Sequence, residues 1–273
     1  MRGKRLILLA VFAICGAKSG LGQDLDLAAL GARAEAGDPA AQVELGHAYR
    51  RAGLRAVAAD WYCRAAALDF PEGLYRCAAG RDIALLTRAA SLGHAPSALA
   101  LGRLAESDDA ALAARHFARA AELGSGSGAY RAGLLAERRG DRAAAREFWR
   151  VALERGHWPS ANELALSLLN DPARGAGAEA QARALLAQAA KAGDQAARFN
   201  LAELSADEPE GAYRLYALAG VGPNPGLRAA AIDRLAALER ALAPARIAEL
   251  RAHLAPEIAL TRELASRPAD APD

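Results

Sequence analysis

The sequence is poor in the residues that fill an ordinary core: only 5% of its 273 residues are aromatic and one is methionine. Since 53% are nevertheless apolar, a sizeable interior must be built from small side chains, and 75 alanines supply them. Lysine is nearly absent, Lys191 being the only one beyond residue 22, with arginine supplying every other base. This alanine and arginine excess reads as genomic base composition before functional choice. An excess of one charge is missing as well. Residues 1–22 hold Arg2, Lys4, Arg5 and Lys18 and no acid, while the remainder sets 30 bases against 32 acids. Such a balance leaves no clustered positive charge for nucleic acid or an anionic membrane surface. A 24% charged fraction beside that apolar content also excludes wholesale disorder. No apolar run reaches the roughly 20 residues that span a bilayer.

What the chain does have begins with an export pattern. A basic start, the apolar run Leu6 to Cys15 and the small-residue stretch Gly16 to Gly22 form a secretory signal over residues 1–22, with cleavage sites after Gly22 or Ala17. A lipid anchor on Cys15, against which the bulky Ile14 stands, and an uncleaved anchor are the alternatives. The expected location is periplasmic or secreted after cleavage.

Self-similarity decides the fold. Segments starting at Gly37, Asp69, Gly93, Gly124, Gly156 and Gly193 align, and nine residues after each start stands a small residue: Gly46, Ala78, Gly102, Gly133, Ala165 and Ala202. Counting back from each following start, large pairs stand eight and seven residues upstream: Trp61-Tyr62, Leu85-Leu86, His116-Phe117, Phe148-Trp149, Leu185-Leu186 and Ala212-Tyr213. Four and three upstream stand the pairs Ala65-Ala66, Ala89-Ala90, Ala120-Ala121, Ala152-Leu153, Ala189-Ala190 and Tyr216-Ala217. Spacing of three to four residues puts large and small pairs on one helical face. Each unit is therefore two amphipathic helices, at a period of about 31 residues, which indicates stacked helical hairpins.

At these residues the chain resembles the Sel1-like repeat family, relatives of the tetratricopeptide repeats. The first unit carries the pattern through Gly37, Asp38, Ala41, Gln42, Leu45, Gly46, Tyr49, Ala58, Trp61, Tyr62, Ala65 and Ala66. The second is compressed to 24 residues, and only the fifth has the long link typical of the family, Asp171 to Gly177. The resemblance implies an all-α, right-handed α-solenoid of about six hairpins. The expected organisation is a signal over 1–22, a capping helix within 23–36, the solenoid over 37–220, closing helices over 221–267 and a flexible tail over 268–273. The closing helices are expected to break at Pro244 and Pro256.

The search for chemistry returns little. His47, His94, His116, His157 and His253 have no carboxylate or cysteine at metal-ligand spacing. Gly124 to Gly128 reads as an inter-repeat turn, since no lysine follows it as in a phosphate cradle. Asp38, Asp108-Asp109, Asp141 and Asp207 to Glu210 stand where helix starts need capping oxygens. No catalytic residue, metal or cofactor is expected.

The remaining functional surface is the concave face, lined by the first helix of each unit. Tyr and Arg are enriched at binding hot spots, so Tyr75, Arg76, Tyr130, Arg131, Arg198 and Asn200 are the partner-binding candidates. The competing reading is that the aromatics close gaps between helices and the arginines are solvated. The favoured function is an exported, non-enzymatic scaffold gripping a protein or peptide. The resemblance extends this to envelope signalling, secretion or exopolysaccharide assembly. Through its cysteine-rich members it also offers the alternative of a β-lactam- or peptidoglycan-interacting enzyme.

Loss of Cys15 with the signal would leave Cys63 and Cys77, an even pair suited to an oxidising compartment. Cys63 lies seven residues before Phe70 and Cys77 seven after, so a hairpin turning at Phe70 sets both at one height. A disulfide is expected there, with two free core thiols as the alternative.

Overall fold

A computed structural model describes residues 27–205 and 207–266. The signal segment with Cys15, Asp26 and the tail from Arg267 lie outside the described residues. Fifteen α-helices and no strand occur among the described residues. They are α1 Leu27–Glu35, α2 Pro39–Arg51, α3 Arg55–Ala67, α4 Pro71–Cys77, α5 Ile83–Ser91, α6 Ala95–Ala105, α7 Ala110–Glu122 and α8 Gly126–Arg138. Then follow α9 Arg142–Glu154, α10 Pro159–Leu169, α11 Ala178–Lys191, α12 Gln195–Leu204, α13 Pro209–Ala219, α14 Pro225–Ala241 and α15 Pro244–Ser266. Pairs α2/α3 to α12/α13 are the six expected hairpins.

Helix starts follow the capping chemistry. Asp38, Asp109 and Asp141 accept from backbone N–H groups of α2, α7 and α9, as expected, and Asp82, Asp194 and Asn224 do the same at α5, α12 and α14. Glu208 departs from the expectation: it occupies the cap position of α13, but its side chain makes no capping bond. Its carboxylate sits one methylene farther from the backbone than that of the preferred aspartate. The unit starts close the preceding helix in the left-handed region, with φ of 78–97° at Gly37, Gly93, Gly124, Gly156 and Gly193. The second unit places Asp69 there, at φ 59°.

Two compact units divide the chain after Ala132. In the first, α1 covers α2 through Leu30 and Ala34, and buried Gln42 donates to the Ala34 carbonyl at 3.1 Å. The small residue nine positions into a unit meets the second member of the large pair. A Cβ at Gly46 would fall 2.5 Å from the Tyr62 ring, and one at Gly102 2.4 Å from the Phe117 ring. Ala78 shares a core cluster with the smaller Leu86. A second small position, four residues into each unit, packs on the alanine pair of the hairpin before it. At Gly73 an added Cβ would sit 2.6 Å from the Ala65 Cβ, and at Gly128 2.6 Å from the Ala120 Cβ.

The second unit repeats the rule at Gly133 and Ala165 but not at Ala202, which clusters with Ala212 and Tyr216. A Cβ at Gly133 would fall 2.4 Å from Trp149, whereas Ala165 clusters with Leu186. The link after α10 is pinned by Arg146, which donates to the Ser167 carbonyl and to Asp171, each at 2.7 Å. Buried Gln195 donates to the Ala219 carbonyl at 2.7 Å and accepts from the Asn224 N–H at 2.8 Å, joining the end of α13 to the start of α14.

Two closing helices follow, and Leu254 of α15 packs on Tyr213 and Ala217. Contrary to expectation, Pro256 does not break the closing segment, because α15 runs through it. Pro256 and Ala252 are both exposed, so the carbonyl released at Ala252 faces water. Ile232, one of the apolar residues marking the closing helices in the sequence, is 53% exposed.

Candidate functional site

The second hairpin carries a polar cluster centred on Glu72. Pro71 starts α4 with its φ already helical, Leu74 anchors it in the core, and Glu72, Tyr75 and Arg76 stay half-buried on its other faces. α4 lies against α2 as well as α3 and α5, which places these side chains in the layer of first helices. The expected disulfide ties the last residue of α4, Cys77, to Cys63 of α3, with Cα atoms 4.8 Å apart. Cys63 is exposed and Cys77 half-buried, although Cys77 stands eight residues into its unit, where other units place Leu45, Leu101 and Leu164 in the core. Compression of the unit ends α4 at Cys77, so this register position is not covered on all sides.

Glu72 organises the cluster. Arg76 Nε donates to its Oε1 at 2.6 Å, His94 Nε2 stands 2.9 Å from its Oε2, and His47 Nε2 lies 3.9 Å from Oε1. The His94 hydrogen bond, with help from Arg76, holds the Glu72 carboxyl at a pKa of about 2 against the pull of burial. On the other side of the ring, His94 Nδ1 is hydrogen-bonded with the Ser97 hydroxyl, 2.9 Å away. His47 Nδ1 meets the Tyr62 hydroxyl at 2.9 Å, and burial followed by the Arg76 charge lowers the His47 pKa. The Tyr75 ring packs on His94 at 5.1 Å between centroids, and the Arg76 guanidinium lies 5.4 Å from the Tyr75 ring centre.

Ser97, His94 and Glu72 thus stand in the order of a nucleophile, base and orienting acid, an arrangement that local sequence spacing missed. Ser97 is completely buried, so it cannot meet a substrate. The same Ser–His pair recurs at 2.9 Å between Ser160 and His157, again with a fully buried serine at a helix start. Recurrence at equivalent positions marks a packing device. Among the described residues, no group of three His, Cys, Asp or Glu side chains is arranged to hold a metal ion.

Only some of the sequence candidates are brought together. Tyr75 and Arg76 share the Glu72 cluster. Arg131 donates to Glu106 at 2.9 Å with its guanidinium 5.8 Å from the Phe117 ring centre, beside half-buried Tyr130 on α8. In the second unit Asn200 donates to Asn162 at 2.7 Å, joining α12 to α10, next to Glu163, whose pKa burial raises. Arg198 turns back to donate to the Ala190 carbonyl at 3.2 Å near the end of α11. That unit also holds a cleft of about 310 Å³ lined by Glu203, Tyr216, Arg234 and Leu238. Its polar groups are engaged with one another: Tyr216 donates to Glu203 Oε1 at 2.5 Å, and Arg234 Nε donates to the same oxygen at 2.7 Å.

Solved structures share this architecture. The chain is similar to c5321, a protective antigen of uropathogenic Escherichia coli strains displaying a Sel1-like repeat fold. The two are 17% identical with a TM-score of 0.69, over 88% of this chain and 59% of that protein's length. It is also similar to a Sel1 repeat protein from Oxalobacter formigenes, at 22% identity and a TM-score of 0.55, over 66% of this chain and 84% of that one. No protein-family model matches the sequence, and no curated protein matches it. The chain has the Sel1-like repeat fold, an all-helical α-solenoid of hairpins. Among the described residues, no helix is long and apolar enough to cross a membrane.

Proposed function

We propose that this chain is a non-enzymatic repeat scaffold that grips a protein or peptide segment on its layer of first helices, with Tyr75 and Arg76 as the leading contacts. The observation carrying this reading is the pre-set pair itself. Glu72 and His94 hold Arg76 and Tyr75 in fixed positions while both side chains stay half-exposed, which lowers the ordering cost of binding. Tyr130, Arg131 and Asn200 extend the contact surface within their own units. Arg198 contributes less, because its guanidinium is committed to Ala190. The disulfide and the signal-like residues 1–22 support export to an oxidising compartment.

Crosslinked capture from the envelope of the source cell, with Arg246→Ala as the control, tests the reading. A protein held by the parent chain and the control but lost with Tyr75→Ala and Arg76→Ala supports it. Identical capture by all four chains overturns the site. Stable covalent labelling by a reactive β-lactam would overturn the non-enzymatic assignment.

A further inference from the structure

We propose that α4 is a redox-latched segment: the Cys63–Cys77 disulfide holds it in place, and reduction by a dithiol releases it, together with Glu72, Tyr75 and Arg76.

Three independent features converge on this one helix. It is the shortest described, at seven residues, too short to persist without tertiary support. Both of its ends are strained. Asp69, two residues before it, has φ 59°, and Ala79, two after it, has φ 48°; these are the only non-glycine residues with positive φ among the described residues. Aspartate tolerates that region through its short polar side chain, and the Arg88 guanidinium pairs with Asp69. Ala79 is exposed and has no such compensation, so its Cβ bears the clash directly. Thirdly, the cross-link is reachable: Cys63 is exposed on α3, although its neighbours Trp61, Tyr62, Ala65 and Ala66 are core residues. A latch whose open side faces solvent differs from a staple sunk in the interior.

The exchange balances with a dithiol as reductant. A thiolate of the dithiol attacks the Cys63 sulfur, the S–S electron pair leaves on the Cys77 sulfur, and that sulfur takes up a proton. The second thiol of the reductant then attacks the mixed disulfide and frees Cys63 as a thiol. The protein disulfide is reduced and the dithiol becomes a disulfide.

Once the link is gone, α4 is held by Leu74, by Gly73 packed on Ala65 and by the Glu72 contacts, against strain at both ends. Opening would part Tyr75 from His94 and Glu72 from both Arg76 and His94. The consequence for a partner rests on the proposed function, but the latch does not, so the experiment reads the helix directly. Amide hydrogen exchange of the full chain, resolved by peptide, is compared with and without dithiothreitol. Amides of residues 72–79 should exchange about a hundredfold faster on reduction, while those of α8 and α12 change by less than about twofold. Ala79→Gly, which removes the clash without removing a contact, should recover about tenfold of that loss in the reduced chain. Unchanged exchange across 72–79 would overturn the latch, and so would equal acceleration of every helix, since a global staple does that. Exchange that Ala79→Gly fails to slow in the reduced chain would overturn strain at Ala79 as the force that opens the helix. None of these outcomes depends on whether a partner binds Tyr75.

Discussion

Gly102 is the sharpest place to perturb the packing. Replacing it with alanine adds one carbon that would lie 2.4 Å from both Cδ1 and Cε1 of Phe117, a ring with no exposed surface to move into. Overpacking of this kind costs about 1–3 kcal/mol. Replacing glycine inside a helix returns about 1 kcal/mol of propensity, so Gly102→Ala should destabilise by about 0–2 kcal/mol. Gly211→Ala is the chemical control. That position is exposed near the start of α13, and the nearest atom to its added Cβ is a Glu208 carboxylate oxygen at 3.5 Å, so this change should stabilise by up to about 1 kcal/mol. The ring can also be trimmed. In the Ala78/Leu86 and Ala165/Leu186 hairpins the chain itself pairs alanine with leucine. Gly102→Ala should therefore escape the overpacking cost when combined with Phe117→Leu and stabilise by up to about 1 kcal/mol, giving a coupling of about 1–3 kcal/mol in a double-mutant cycle. Urea unfolding followed by far-ultraviolet circular dichroism supplies the four stabilities. If Gly102→Ala costs the same with phenylalanine or leucine at 117, or stabilises the parent chain as Gly211→Ala does, the size-matching argument fails.

Acid should weaken the first unit through Glu72. Its folded pKa of about 2 lies below the ordinary 4.5, so its contribution is complete above about pH 4.5 and is lost as pH falls toward 2. Urea midpoints measured from pH 3 to 7 should lose part of their acid slope in Glu72→Gln, and an unchanged slope would refute the assignment. The lowered pKa values of His47 and His157 act in the same sense in a higher window. Their contributions are present above the usual 6.5 and fade as pH drops below it, which His47→Gln should reduce. Arg146→Ala should release the link 170–177, because it removes the bonds to Ser167 and Asp171 at once. Trypsin should then cut after Arg174 several-fold faster, a change that time-resolved mass spectrometry would detect.

The periodic part of the structure was legible because it is written at fixed offsets. Gly46, Gly102, Gly133 and the alanine pairs announce close helix contacts, and Asp38, Asp109 and Asp141 announce helix starts. The symmetry of Cys63 and Cys77 about Phe70 likewise led to the disulfide. The Glu72 cluster was hidden for the opposite reason. His47 and His94 lie 25 and 22 residues from Glu72 in neighbouring units, and no local spacing encodes contact between first helices. One signal was available: His94 and His157 replace the aspartate of the Gly-Asp start, and each is followed three residues later by serine. Ser97 and Ser160 therefore belong to the same buried small position as Ala41, Gly73, Gly128 and Ala197, which polarity alone disguises. Pro256 misled because a proline can lie within a helix where the residues around it, here Ala252 and Pro256, are exposed and water can take up the carbonyl left without a partner.

The pairing of glycine with an aromatic ring and of alanine with leucine has a consequence for how such a chain can change in length. Five of the six hairpins are matched internally in this way: the helix of Gly102 fits a phenylalanine, and that of Ala78 fits a leucine. Apart from specific links such as Cys63–Cys77 and the Glu72 and Asn162–Asn200 bonds, the contacts between hairpins are generic, a small residue on an alanine pair, as Gly73 meets Ala65 and Gly128 meets Ala120. A recombination crossover inside a hairpin would join unmatched halves, leaving a void where leucine faces glycine or a clash where phenylalanine faces alanine. A crossover at the turn between hairpins would exchange one generic contact for another. Duplication and deletion of whole hairpins is thus the inexpensive route by which this architecture gains or loses binding surface.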